Sequence, residues 1–150
     1  MVTGLAAGCG SSNLTPAEYL ERAKDLQDEG ELQAAVIEFK NALRGDPENP
    51  EARWLLGKAY VELGNGVAAE KELRRAQELG VSGGAIQIPL ARAILLQGKY
   101  QEVLAMIGPS NGLPPADAAR MQALRAEAFM GLGRAQEACA GFERAVQSDP

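Results

Sequence analysis

The sequence predicts an all-α chain, a solenoid of four helix-turn-helix repeats, and three observations lead there. Gly30, Gly64, Gly98 and Gly133 recur at spacings of 34, 34 and 35 residues, a period that marks stacked repeats rather than one irregular core. Each closes an apolar-periodic segment: Leu26-Gln27-Asp28-Glu29-Gly30, Tyr60-Val61-Glu62-Leu63-Gly64, Ile94-Leu95-Leu96-Gln97-Gly98 and Phe129-Met130-Gly131-Leu132-Gly133. The chain is 46% hydrophobic but only 5% aromatic, with 26 alanines. Alanine enters helices at the lowest intrinsic cost and lets helix axes approach closely.

Residues 1–15 carry no helical period and read as a short apolar segment followed by a flexible tail. Residues 16–150 divide into repeats at about 16–49, 50–83, 84–118 and 119–150, with the array truncated at its C-terminal end. In each repeat a first helix ends at its marker glycine, which takes positive φ without a side-chain clash, and a second helix folds back. Small residues at Ala23, Gly57, Ala91 and Ala126 admit the partner helix. Ala35, Ala69, Val103 and Ala138 answer them, with Phe39, Leu73, Ile107 and Phe142 one turn later, and Ala42, Ala76 and Ala145 complete the stripe. Asp46-Pro47 and Asp149-Pro150 stop second helices, since proline lacks the N–H and clashes with the preceding turn. Unit three departs: Pro89 lies inside its first helix, its second helix is short around Gln101 to Ile107, and Gly108-Pro109-Ser110-Asn111-Gly112 follows. A kink and a looser joint are expected there.

These positions together resemble the tetratricopeptide repeat family over Pro16 to Pro150, which implies a right-handed superhelix whose inner wall is built from first helices. The stretches Ala34–Leu43, Ala52–Tyr60 and Ala69–Ala76 are similar to a narrower group, the PrsT-type lipoproteins of exosortase and PEP-CTERM exopolysaccharide systems. That likeness implies a non-catalytic envelope scaffold for polysaccharide assembly or export. Leu5-Ala6-Ala7-Gly8-Cys9 resembles a bacterial lipobox, which implies lipidation at Cys9. Gly10 after the cysteine implies the outer membrane, facing the periplasm. Only eight residues precede Cys9 and none is basic, short of a working export signal; a late start or trimmed fragment is one reading, and an ordinary cysteine in a cytoplasmic protein is the other. Cys139, between Ala138 and Ala140, reads as a small helix-packing residue.

Composition excludes several chemistries. The chain has no histidine, which removes His-based triads, proton shuttles and the commonest zinc ligand. A net charge of −5 opposes a field-driven nucleic-acid interface. No paired acid cluster, phosphate loop or metal-ligand spacing occurs, so neither catalysis nor a cofactor is expected.

What remains is a wall for a protein or peptide partner. By phase it comprises Leu20, Lys24, Gln27 and Asp28; Trp54, Leu55, Lys58, Val61 and Glu62; Ile88, Arg92, Leu95 and Leu96; and Ala123, Glu127, Met130 and Gly131. Lys24, Lys58 and Arg92 fall 34 residues apart and should form a cationic row able to hold acidic side chains or a chain terminus. Lys24 with Asp28 and Lys58 with Glu62 are alternatively local pairs, whereas Leu96 leaves Arg92 without one. Trp54 stands one position later than the family's tryptophan, which turns it towards the wall as an anchor. Tyr19, Tyr60 and Tyr100 read as packing residues. Leu20, Leu55 and Pro89 depart from the carboxylate-clamp pattern of chaperone-binding relatives. Alternative readings are a lipoprotein for pilus or outer-membrane protein assembly, and the recruiting arm of a larger glycosyltransferase or protease. The C-terminal apolar face is expected to meet further repeats or another chain.

Overall fold

A computed structural model describes residues 14–108 and 114–148; Cys9 with its lipobox, residues 109–113 and the Asp149-Pro150 stop lie outside the described residues. The helices are α1 (Pro16–Asp28), α2 (Leu32–Gly45), α3 (Pro50–Glu62), α4 (Gly66–Glu78), α5 (Gly84–Leu95), α6 (Tyr100–Met106), α7 (Pro115–Gly131) and α8 (Ala135–Ser148). They pack pairwise as four hairpins, and each second helix also lies against the first helix of the next unit. The all-α repeat array expected from the glycine period is the observed fold.

Local chemistry sets the helix starts. Thr15 caps α1 in a reciprocal box: its hydroxyl accepts the Glu18 N–H at 3.3 Å, and the Glu18 carboxylate accepts the Thr15 N–H at 2.7 Å. Those bonds from the Thr15 backbone and side chain hold the Glu18 carboxyl below its ordinary range. Asn49 and Asn65 cap α3 and α4 through Oδ1, which accepts the N–H of Ala52 at 2.9 Å and of Ala68 at 3.1 Å. Pro16, Pro50 and Pro115 sit in first turns, where a missing N–H has no helical acceptor to lose.

First helices all stop the same way. Gly30, Gly64, Gly98 and Gly133 have φ of +81°, +74°, +70° and +72°. At the first of them the Gly30 N–H donates to the Gln27 carbonyl and the Glu31 N–H to that of Leu26, the paired bonds of a left-handed helix stop, and the pattern recurs at the other three. This returns the chain at one angle each time, so the seams stay in register.

Those seams are tight. Ala23, Ala91 and Ala126 are inaccessible to solvent. A Cβ placed on Gly57 would lie 2.5 Å from Leu73 Cγ, so α3 and α4 approach as closely as they do because residue 57 has no side chain. One buried cluster joins Leu20, Phe39 and Leu43 of unit one to Leu56 of unit two; a second runs from Leu73 through Ile94 to Leu124. Tyr60 packs against both clusters, in keeping with its expected packing role.

Unit three is the irregular one. α6 has seven residues, and α5 runs through Pro89 as one helix. In unit four Arg125 takes the register position that Leu56 and Leu90 hold; its Nε is buried with no hydrogen-bond partner among the described residues. Cys139 corrects the sequence expectation, because it is exposed on α8 rather than packed.

Outside the wall, carboxylates fasten units together. Arg53 Nη1 meets the buried Glu72 at 2.5 Å while its Nε and Nη2 donate to the Pro47 carbonyl, tying α3 to α4 and to the preceding turn. Glu70 of α4 accepts from Lys99 at 2.9 Å, Gln97 at 2.7 Å and Arg74 at 2.7–2.8 Å. Burial works to raise its pKa, but the bonds from Lys99, Gln97 and Arg74 together hold it at about 2. A carboxyl whose folded pKa lies below its unfolded one stabilises the fold above the unfolded value, and that contribution is lost as pH falls through the folded value. Glu70 should therefore steepen acid destabilisation between pH ~4.5 and ~2. Thermal midpoints measured across that window should fall less steeply in Glu70→Gln than in the wild type, from a lower starting stability at pH 7. Parallel curves would show that Glu70 does not fasten this joint.

Candidate functional site

First helices of units two, three and four lie side by side, α3 against α5 and α5 against α7. Between them is a cavity of about 570 Å³. Eight of the residues expected on the wall meet there: Trp54, Lys58, Val61 and Glu62 from α3, Ile88 and Arg92 from α5, and Ala123 and Glu127 from α7. Gly84, Ala85, Pro89, Asp117, Arg120 and Leu124 also line it. Gly84, Ala85, Asp117 and Arg120 lie in the opening turns of α5 and α7, ahead of the expected wall positions, and Pro89 and Leu124 each follow an expected wall residue by one position.

Trp54 is held from two sides. Its indole N–H donates to the Ala85 carbonyl at 2.8 Å, and the Lys58 ammonium lies 4.7 Å from its ring centroid. The identity of that carbonyl is informative. In an α-helix the Ala85 carbonyl would receive the N–H of residue 89, and Pro89 has none. The tryptophan of unit two thus satisfies the acceptor that the proline of unit three leaves open. Pro89 was read as a weak point of unit three; it is bound across to unit two through this bond. Trp54 is half-buried and faces the cavity.

The cations differ from expectation. Lys24 does not pair with Asp28: it bridges Glu21 and, across the repeat, Glu51, both at 2.8 Å. The hydrogen bonds it donates to Glu21 and then to Glu51 hold its pKa above the usual lysine value. Lys58 is over the Trp54 ring rather than against Glu62. Arg92, expected to lack a partner, reaches Glu127 of the next unit at 3.4 Å, and Arg120 lies 3.5 Å from Asp117. First helices stacked side by side add partners outside the helix, 27 residues away for Lys24 and Glu51 and 35 for Arg92 and Glu127. The cavity therefore balances Lys58, Arg92 and Arg120 against Glu62, Asp117 and Glu127 over an apolar floor of Trp54, Val61, Ile88, Pro89 and Leu124.

Other expected wall residues fall elsewhere. Leu20 is 7% exposed and packs in the unit-one core, so it is unavailable to a partner. Lys24 lines a separate hollow with Gln27, Asp28, Glu51 and Leu55, which meets the main cavity at Lys58 and Glu62. Leu95 and the exposed Met130 line a third hollow, continuous with the main cavity at Arg92 and Glu127. Tyr100 packs there under Gly131, where a Cβ would lie 2.4 Å from its ring. Among the described residues no group of three or more His, Cys, Asp or Glu side chains is placed to hold a metal ion, and no helix is long and apolar enough to cross a membrane.

Glycine-closed hairpins presenting a wall of first helices make up a fold of four tetratricopeptide-type helix-turn-helix repeats. Comparison with known proteins agrees. Residues 26–81 match the tetratricopeptide repeat family. DnaJ homolog subfamily C member 3 is 31% identical over 96 residues in Bos taurus and 30% in Homo sapiens. Each match covers 64% of this chain, which spans only 19% of the relative's length. Among solved structures, MamA of MSR-1 superposes with a TM-score of 0.80 at 18% identity, covering 93% of this chain and 79% of that one. MamA 41-end from Desulfovibrio magneticus RS-1 gives 0.76 at 21% identity over 90% and 76%. A tetratricopeptide repeat protein from Parabacteroides merdae ATCC 43184 gives 0.71 at 20% identity over 93% and 54%. At these identities the likeness is one of fold.

The Trp54 bond gives a direct test of the joint. Trp54→Phe keeps an aromatic ring, smaller than the indole, and removes the donor, whose loss should cost about 1–2 kcal/mol in denaturant unfolding. In a Pro89→Ala background the backbone N–H regained at position 89 satisfies the Ala85 carbonyl, so the same change should cost about half as much or less. Equal costs in both backgrounds would separate the two features.

Proposed function

We propose that the chain is a non-catalytic scaffold that receives an apolar side chain of a protein partner in the cavity between α3, α5 and α7. The observation that supports this reading most is the convergence of Trp54, Val61, Ile88 and Pro89 on one floor whose surrounding charges are already balanced. An acidic ligand would have to displace Glu127 from Arg92 and Asp117 from Arg120. An apolar group displaces only water from the floor, and burial of apolar area favours it. Partner charge then governs approach more than affinity.

The wider role we propose is that of an envelope lipoprotein, held through Cys9 at the periplasmic face of the outer membrane and recruiting components of exopolysaccharide assembly. Its support is the lipobox-like Leu5–Cys9 and the PrsT-like stretches Ala34–Leu43, Ala52–Tyr60 and Ala69–Ala76.

The cavity reading is tested with a partner captured from envelope extract by the wild-type chain. Ala85 is exposed at the cavity rim, so Ala85→Glu should leave the fold intact and weaken capture by about tenfold or more. Arg92→Glu should weaken it by about threefold or less, and capture should survive 0.5 M salt. Dominance of Arg92→Glu together with release by salt would restore the cationic row as the recognition element.

A further inference from the structure

The wall of first helices changes character along the array, and two register rows show it. One runs Gln27, Val61, Leu95 and Met130; the next runs Asp28, Glu62, Leu96 and Gly131. Both begin polar in unit one and lose that polarity by unit three. The hollows along the wall follow the same order. The one against α1 joins the main cavity at Lys58 and Glu62, and the one at Leu95 and Met130 joins it at Arg92 and Glu127. A single groove therefore runs from unit one to unit four, acidic at its first end and apolar from the cavity onward.

The first end holds carboxylates in excess. Its hollow is lined by Lys24 and Lys58 against Asp28, Glu51 and Glu62. Lys24 is already engaged, with Glu21 and Glu51 at 2.8 Å each, and the Lys58 ammonium lies over the Trp54 ring. Among the described residues neither Asp28 nor Glu62 forms an ion pair; Glu62 accepts a long bond of 3.5 Å from the Gln27 amide. Further along the wall the carboxylates have their cations, Glu127 with Arg92 and Asp117 with Arg120. A partner carboxylate arriving at the first end would meet two unneutralised anions, whereas an ammonium or guanidinium would complete them. Asp28 and Glu62 are exposed, so such a contact adds little affinity; what it sets is which end of the partner lies there.

The repeat geometry gives the spacing. Packed helix axes lie about 8–10 Å apart, and an extended chain rises about 3.3 Å per residue, so one step along the wall corresponds to about three residues of an extended segment.

We infer that the partner segment lies in the groove in one orientation, with a basic side chain over Asp28 and Glu62 and, about three residues away, the apolar side chain that fills the cavity. This rests on the cavity reading proposed above and adds to it the charge and the orientation of the segment. The preference is the reverse of an acidic ligand held by Lys24, Lys58 and Arg92.

The test pans a random nonapeptide library displayed on phage against the immobilised full chain and sequences the selected pool. Apolar residues should be enriched, and about three positions to one side of them the ratio of Arg and Lys to Asp and Glu should exceed that of the input library by about fivefold or more. Asp28→Asn with Glu62→Gln should return that ratio to within about twofold of the input while the apolar enrichment stays. Asp25→Asn with Glu29→Gln removes the same charge from exposed carboxylates outside the groove, and it should keep the wild-type ratio. Three results would overturn the inference and leave the cavity reading standing: apolar enrichment without the basic residue, basic enrichment that survives the change at Asp28 and Glu62, and selection of acidic segments. Absence of apolar enrichment, or apolar enrichment that Ala85→Glu does not abolish, would sink the cavity reading and the inference with it.

Discussion

The distance between the two helices of a hairpin governs everything else in this fold. Where Ala23, Gly57, Ala91 and Ala126 face a second helix, the backbones come close enough for Phe39, Leu73 and Ile107 to be wholly or almost wholly enclosed. Because helix one of each unit is pinned so close to helix two, its opposite side is fixed relative to the next unit. The wall of first helices is a consequence of the seam. A larger residue in the seam would push α3 outward and change the shape of the cavity without touching a wall residue.

Unit three shows how the array accommodates a break in its own pattern. Pro89 removes one helical hydrogen bond, and seven-residue α6 offers little surface to the next unit. The remedies come from neighbours: Trp54 supplies a donor from unit two, Gln97 and Lys99 reach back to Glu70, and Arg92 reaches forward to Glu127. Two of these bonds, Trp54 to Ala85 and Arg92 to Glu127, join residues that line the cavity, so its shape follows from the joints rather than from any one helix.

The fold was legible because glycine spacing, alanine seams and proline stops are local and repeat. Much of the cavity was legible too, since phase alone brought out Trp54, Lys58, Val61, Ile88 and Arg92. Leu20 was not: it holds the register position of Trp54 and Ile88 but is 7% exposed and packs in the unit-one core. Glu51 and Glu127, the partners of Lys24 and Arg92 on the first helix of the next unit, were hidden because they lie beyond any i,i+4 window. One signal was available and went unread: a proline inside a helix always frees the carbonyl four residues before it, and a displaced tryptophan one repeat earlier is a donor in search of an acceptor.

The central claim is that the absence of a side chain at position 57 sets the α3–α4 distance. Inside a free helix, alanine is favoured over glycine by about 1 kcal/mol. Packed against Leu73 at 2.5 Å, the added Cβ must displace a fully buried side chain, at a cost of about 1–3 kcal/mol. The equilibrium unfolding free energy of Gly57→Ala is therefore the decisive measurement, because propensity and packing predict opposite signs. The account predicts a net loss of stability, and a variant more stable than the wild type by about the propensity difference would contradict it.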